Sequence, residues 1–208
     1  MTDPDRVTAL AACWERWAEL GAALTEADWR RPTRCDGWDI EALFAHHAGY
    51  PIALRTRPAE APGGAVVTAV DVLRGYNVPG SPEVEQVAAA VADGARRQVT
   101  ALGQERLLAA FAEDARAATG WLAETPGATI FPWQGGPASI MLAEALRIAL
   151  MEATVHLYDL QHALGLPPDA PASAAAETAR LLAEVPDSAA FIEAASGRSE
   201  DPVLPVIR

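Results

Sequence analysis

Between Val7 and Leu24, apolar or small residues fall at Val7, Leu10, Trp14, Trp17, Gly21 and Leu24, in the alternating three- and four-residue steps of one helix face. The spacing predicts a first amphipathic helix. A turn carrying Pro32 and Gly37 follows, and then Ile40, Leu43, Phe44 and His47 share one side of a second helical pattern. Asp39 is its expected N-cap, because its carboxylate can accept an orphan backbone N–H of the first turn, and Pro51 is expected to bend or end the helix near Tyr50. From Pro58 to Pro82 the chain turns to Pro, Gly and small residues, a long loop with room for a short helix over 70–76.

The Ala-rich stretch 82–124 reads as helix with a break near Gly103, and 126–137 as a loop containing Phe131, Pro132 and Trp133. The most apolar helix is expected over 139–164, stopped by Gly165 with Pro167 and Pro168 beyond it. A helix over 172–184, a short one over 189–195 and a tail over 202–208, strand or packed arm, complete the chain. Residues 1–165 show no strand-like alternation. Four long helical patterns, one of them very apolar, predict an all-α fold: a four-helix bundle over 1–165 with a short helical or extended C-terminal appendage over 166–208 packed on it.

The apolar run 148–158 is broken by Glu152 and His156, four residues apart and therefore on one helix face. An ionised carboxylate buried without a partner costs several kcal/mol or shifts its pKa, so the pair calls for a compensating charge. Such pairs are commonly just hydrogen-bonded; it is the apolar surround that favours a divalent cation here. Zinc centres that keep a position open use three protein ligands, and two His with one Glu is a known set. The third ligand then falls to His46 or His47, between which periodicity does not choose, because His162 lies more than a turn and a half past His156. Cys35 precedes the Asp39 cap, and by helix rise alone it is too far from His46 to join them. Asp159, one turn beyond His156, is placed either to hydrogen-bond a ligand imidazole or to sit in solvent.

Composition narrows the partners. Sixteen basic against 28 acidic residues, a net charge of −12, argues against nucleic acid and against an anionic membrane surface. The beginning of the chain lacks a basic flank followed by an apolar segment, and charge, Gly or Pro interrupts every apolar stretch before it could span a bilayer, so a soluble, cytoplasmic protein is expected. Two cysteines, Cys13 and Cys35, are too few for a disulfide framework or a thiolate zinc cluster, so any thiol chemistry draws its thiol from elsewhere.

Residues 29–49, W-R-R-P-T-R-C-D-G-W-D-I-E-A-L-F-A-H-H-A-G, resemble the N-terminal motif of the mycothiol-dependent maleylpyruvate isomerase family within the DinB/YfiT-like superfamily. The later E-A-T-V-H-L-Y-D-L-Q-H-A-L-G resembles its Glu-x-x-x-His-x-x-Asp segment, and the Gly197-Arg198 ending is similar to family tails. His46 follows Trp38 by eight residues, the spacing of the family's metal-binding His, while His47 stands where the family usually has an apolar residue. The resemblance implies a DinB-like bundle, metal ligands His46, Glu152 and His156, a divalent ion with zinc foremost, and mycothiol as thiol cosubstrate. It further implies a small electrophilic substrate attacked by a metal-bound thiolate, giving either cis–trans isomerisation or S-transfer. Arg55, Arg57, Arg147 and Arg208 are positional candidates to clamp a carboxylate, and Trp133 and Tyr158 to line the pocket. Two other readings share the fold: a non-catalytic binding or accessory protein, and a metal-dependent hydrolase for which Asp159 would be the base. Monomer and homodimer both fit.

Overall fold

The computed structural model describes residues 2–56, 64–76, 81–133, 138–199 and 203. Helix α1, Pro4–Ala23, starts on Asp3, whose side chain accepts from the Asp5 backbone N–H, with Pro4 in the first turn where no N–H is needed. Its predicted stripe is buried from Val7 to Gly21. Helix α2, Ile40–Arg55, is capped by Asp39, which accepts from Ala42 N at 2.9 Å. Pro51 does not end it. A proline inside a helix forfeits one backbone bond at a cost of about 3 kcal/mol, but Pro51 and Ala48 are buried against neighbouring helices, and that packing carries α2 on to Arg55.

Helix α3, Ala69–Gly75, opens on a capping box between Thr68 and Asp71, within the stretch expected to hold a short helix. Helix α4, Pro82–Ala109, is interrupted at Gly103, whose φ of 70° only glycine adopts freely. A π-turn over Ala110–Asp114 then leads into α5, Ala115–Glu124. Helix α6, Leu142–Leu164, ends on left-handed Gly165. Helices α7, Ala172–Glu184, and α8, Ser188–Ala195, follow, and α7 packs against α6 and α1.

The expectation of no β structure, and of helix from residue 139, is corrected. Strands β1, Val66–Val67, β2, Ile130–Pro132, and β3, Ser139–Met141, form a small sheet in the order β1-β3-β2, parallel on one side of β3 and antiparallel on the other. Two- and three-residue strands are too short for alternation to register in sequence. The fold is otherwise all-α: α1, α2, the α4–α5 pair and α6 pack as a four-helix bundle. Among the described residues no helix is long and apolar enough to cross a membrane. All of the predicted tail except Val203 lies outside the described residues.

Three rings hold α1, α2 and the π-turn together. Trp17 meets Phe44 edge-on at 5.0 Å and stacks on Phe111 at 5.2 Å, with Trp17 and Phe44 wholly buried. Burying one such side chain contributes about 1.5–3 kcal/mol. That apolar block fixes α2 against its neighbours and so sets which side of α2 faces α6.

Candidate metal centre

His46 and His47 are neighbours in sequence and meet opposite surroundings, because one residue turns a helix by about 100°. His47 points into the aromatic block. It is wholly buried, tilts against Trp17, stacks on Phe111, and accepts from Trp14 Nε1 at 3.2 Å. His46 points toward α6, where its Nε2 lies 3.2 Å from Glu152 Oε2. His156 Nε2 lies 3.4 Å from the same oxygen, and the two imidazole rings stand edge-to-face at 5.1 Å. One potential ligand atom from each of His46, Glu152 and His156 therefore lies within 4.8 Å of the other two. Trp38 braces both rings, with centroids 5.0 Å from His46 and 6.3 Å from His156.

Behind His156 stands a supporting tier. Its Nδ1 lies 2.9 Å from Asp159 Oδ2, and Arg34 grips the other oxygen of Asp159 at 2.7 and 3.1 Å. Asp159 is thus a buried partner of the imidazole. Nδ1–H donates to Asp159, which turns Nε2 toward Glu152 and His46; in the neutral ring Nε2 carries the lone pair that a cation would use.

Cys35 is not grouped with His46 and Glu152, but it does reach His156. The segment between Arg31 and Ile40 folds back on itself, with Thr33 N bonded to Trp38 O and Ile40 N to Arg31 O, and Gly37 at φ 75° makes the turn. Cys35 is brought onto α6, where its thiol donates to Asp159 Oδ2 at 3.5 Å. Cys35, His156 and Asp159 form a second grouping within 4.8 Å that shares His156 with the first. Arg34 already balances the charge of Asp159, so the grouping better suited to a cation is His46, Glu152 and His156.

Electrostatics sharpen this choice. Burial alone would raise the Glu152 pKa, but hydrogen bonds and positive charge from His156 and His46 outweigh it and hold the carboxyl well below its usual range. Burial alone would lower the His156 pKa, yet the bonds to Asp159, Cys35 and Glu152 hold it well above its ordinary 6.5. Without a metal, a proton on His156 is the counter-charge of Glu152. A divalent cation would take over that role and release the proton, which suits a donor set of two imidazoles and one carboxylate.

Beside His46 opens a cavity of about 440 Å³, between α2, α4, α5 and α6, with Tyr50, Gln98, Leu122, Trp133 and Leu146 in its walls. Of the two aromatic candidates, Trp133 lines it and Tyr158 is not among the lining residues. The clamp candidates are engaged elsewhere: Arg55 pairs with Asp114, and Arg147 with Glu144 and Glu184, while Arg57 and Arg208 lie outside the described residues. His162 is exposed in the last turn of α6. Tyr50, Gln98 and Arg34 were not singled out from sequence. Tyr50 alone carried a signal, four residues past His46 on the same face. Its pKa is driven well above 10 by burial and then by the charge of Glu152, which keeps the hydroxyl a donor.

The family model described as the mycothiol maleylpyruvate isomerase N-terminal domain matches residues 10–161. Among solved structures, the crystal structure of the mycothiol-dependent maleylpyruvate isomerase is similar with a TM-score of 0.52 at 19% identity, over 88% of this chain and 71% of that one. At that identity the likeness is one of fold. No functionally curated protein matches.

Proposed function

The chain belongs to the mycothiol maleylpyruvate isomerase N-terminal domain family, and we propose that it is a metal-dependent enzyme using mycothiol on a small electrophile, by isomerisation or S-transfer. His46, Glu152 and His156 would hold the ion, zinc foremost. The observation that carries this reading is the convergence of two imidazole Nε2 atoms on one oxygen of a partly buried carboxylate at 3.2 and 3.4 Å, at the edge of a cavity.

A divalent cation in this set supplies the positive charge that keeps a coordinated thiol deprotonated near neutrality. The protein's own part is positional. Asp159 holds His156 in the tautomer that presents Nε2, Arg34 fixes Asp159, and Trp38 restrains both imidazole rings. Tyr50 offers a hydroxyl donor in the wall next to His46, where an electrophile's oxygen can be oriented. The family match supports mycothiol as the thiol, since mycothiol is what its description names. It also favours this reading over a hydrolase, whose general base would have to be Asp159, already held by His156, Arg34 and Cys35.

The test is elemental analysis of protein purified without a metal-affinity tag, on the wild type and on His46→Ala and His156→Ala. It is followed by mycothiol consumption with an alkylating electrophile. One ion per chain in the wild type, lost in both variants together with thiol turnover, is the expected result. A stoichiometric ion retained by both variants would refute the site.

A further inference from the structure

The cavity beside His46 says what kind of electrophile the centre takes. Its walls are built largely from Leu54, Leu122, Trp133, Leu142, Leu146 and Ala149. Its volume of about 440 Å³ is about three times the roughly 150 Å³ that accommodates one benzene, so a two-ring group fits. Burying a carboxylate in such walls without a partner is strongly unfavourable. Among the described residues the candidate arginines do not supply one: Arg55 is turned to Asp114, and Arg147 is held by Glu144 and Glu184. The centre itself has no charge to spare either, because Glu152 and a bound thiolate together match the charge of one divalent ion. Apart from His46 of the centre itself, the polar side chains among the described residues of the walls are Tyr50 and Gln98, both neutral and suited to a carbonyl or another uncharged acceptor.

We propose that this cavity selects a neutral, mainly apolar electrophile with one hydrogen-bond acceptor, and discriminates against carboxylates. The proposal rests on the thiol-transfer reading above for its chemistry and on the cavity alone for its selectivity. The reaction balances without an oxidant. The thiol gives its proton to solvent, its sulfur forms the new S–C bond, and the leaving group departs with the electron pair of the bond it loses; with an activated alkene, the neighbouring carbon takes up a proton instead.

The experiment has two arms. In the first, metal-free protein is titrated with the neutral fluorophore beta-naphthol and with its anionic counterpart beta-naphthoate, in the wild type and in Ala53→Trp and Ala145→Trp, which narrow the cavity from two different helices. Circular dichroism accompanies each variant. Naphthol should bind at least about 10-fold more tightly than naphthoate, and each tryptophan should weaken naphthol by a similar factor. Should one variant misfold, the other and the wild-type ligand pair still decide. Naphthoate binding as tightly as naphthol, or naphthol binding untouched by the tryptophans, overturns the proposal. In the second arm, zinc-loaded protein with mycothiol receives para-(chloromethyl)acetophenone or para-(chloromethyl)benzoate, each normalised to its uncatalysed rate. The ketone should lead by about 100-fold in kcat/KM, and a preference for the carboxylate overturns the proposal while leaving thiol transfer intact. Naphthol binding that the tryptophans block, with neither chloride consumed, supports the cavity's selectivity and removes the thiol-transfer reading instead.

Discussion

Asp114 and Glu152 both sit at helix junctions in this bundle, the first buried and the second partly buried, and they are neutralised by different chemistry. Asp114, at the end of the π-turn and 1% exposed, is paired with the guanidinium groups of Arg55 and Arg106. Glu152, on α6, is met by the imidazoles of His46 and His156. A guanidinium stays protonated at any pH a protein tolerates and has no lone pair to offer, so the Asp114 cluster is closed. An imidazole can give up its proton and turn a lone pair toward a cation, so the Glu152 cluster can exchange a proton for a metal. The difference separates a clasp that ties α2 to the π-turn from a site that can do chemistry.

The largest effect should come from Glu152→Gln in the metal-replete protein. Losing the only anionic donor of the set should weaken metal retention by more than the about 10–100-fold typical of an outer partner, and abolish thiol turnover. Equilibrium dialysis followed by metal analysis reads this directly. Asp114→Ala should do the reverse, costing about 2–3 kcal/mol of stability by removing a buried ion-pair partner while leaving metal content unchanged. The figure sits below the usual range for broken buried pairs because the Arg55 side chain is 55% exposed and that of Arg106 35%, so both can turn to water. Urea midpoints with parallel metal analysis check both halves, and loss of metal in Asp114→Ala would erase the contrast.

Asp159→Asn probes the tier behind the imidazole. The amide oxygen can still accept from His156 Nδ1–H, but the negative charge that strengthens the ring as a donor is gone, and Arg34 loses its counter-charge. Metal affinity should fall by about 10–100-fold with all three ligands in place. Affinity equal to wild type would mean that Asp159 serves only to anchor Arg34.

Much of this contrast was legible in the sequence on the side of Glu152 and almost none on the side of Asp114. Glu152 and His156 announce themselves because helix periodicity puts two polar groups on one apolar face, a local pattern. His46 over His47 came only from resemblance, since each has a plausible helix face; the aromatic block settles their orientation, and it is built from residues on α1, α2 and the π-turn. The approach of Cys35 to His156 and Asp159 had no counterpart in the sequence, because distance along an ideal helix takes no account of a chain that doubles back at Gly37. Asp114 gave no signal, because its partners lie 59 and 8 residues away and a π-turn leaves little trace in periodicity. Pro51 was expected to bend or end α2 because propensity is local, and tertiary packing carried the helix past it.

The smallest expected effect sharpens the comparison from between the two clusters. His47 is as buried as Asp114 and, among the described residues, has no carboxylate in hydrogen-bonding contact, so it should stay neutral where the other two sites stay charged. Trp14 donates to its Nε2, which places the ring proton on Nδ1, and among the described residues Nδ1 has no hydrogen-bond partner. Burial first, and then the nearby charge of His156 and His46, holds the His47 pKa well below its ordinary 6.5. The sign follows: below about 6.5 the unfolded chain takes up a proton that the folded chain refuses, so this stability is intact above that pH and is lost as pH falls toward the depressed folded value. His156, whose pKa is raised, acts the other way; its contribution is present at low pH and fades as pH climbs through its folded value. Glu152 and Asp159 begin to matter only at the lower pH where carboxylates in the unfolded chain titrate. Metal-free protein unfolded in urea between about pH 6 and about pH 5, below the range in which His156 of the unfolded chain changes charge, isolates His47, with a slope of at most about 1.4 kcal/mol per pH unit for one proton. His47→Gln keeps an acceptor for Trp14 and does not titrate, so it should flatten that slope. An equal slope in wild type and variant would mean that His47 is protonated in the folded core, and that the bundle balances buried charge in a way neither Asp114 nor Glu152 exemplifies.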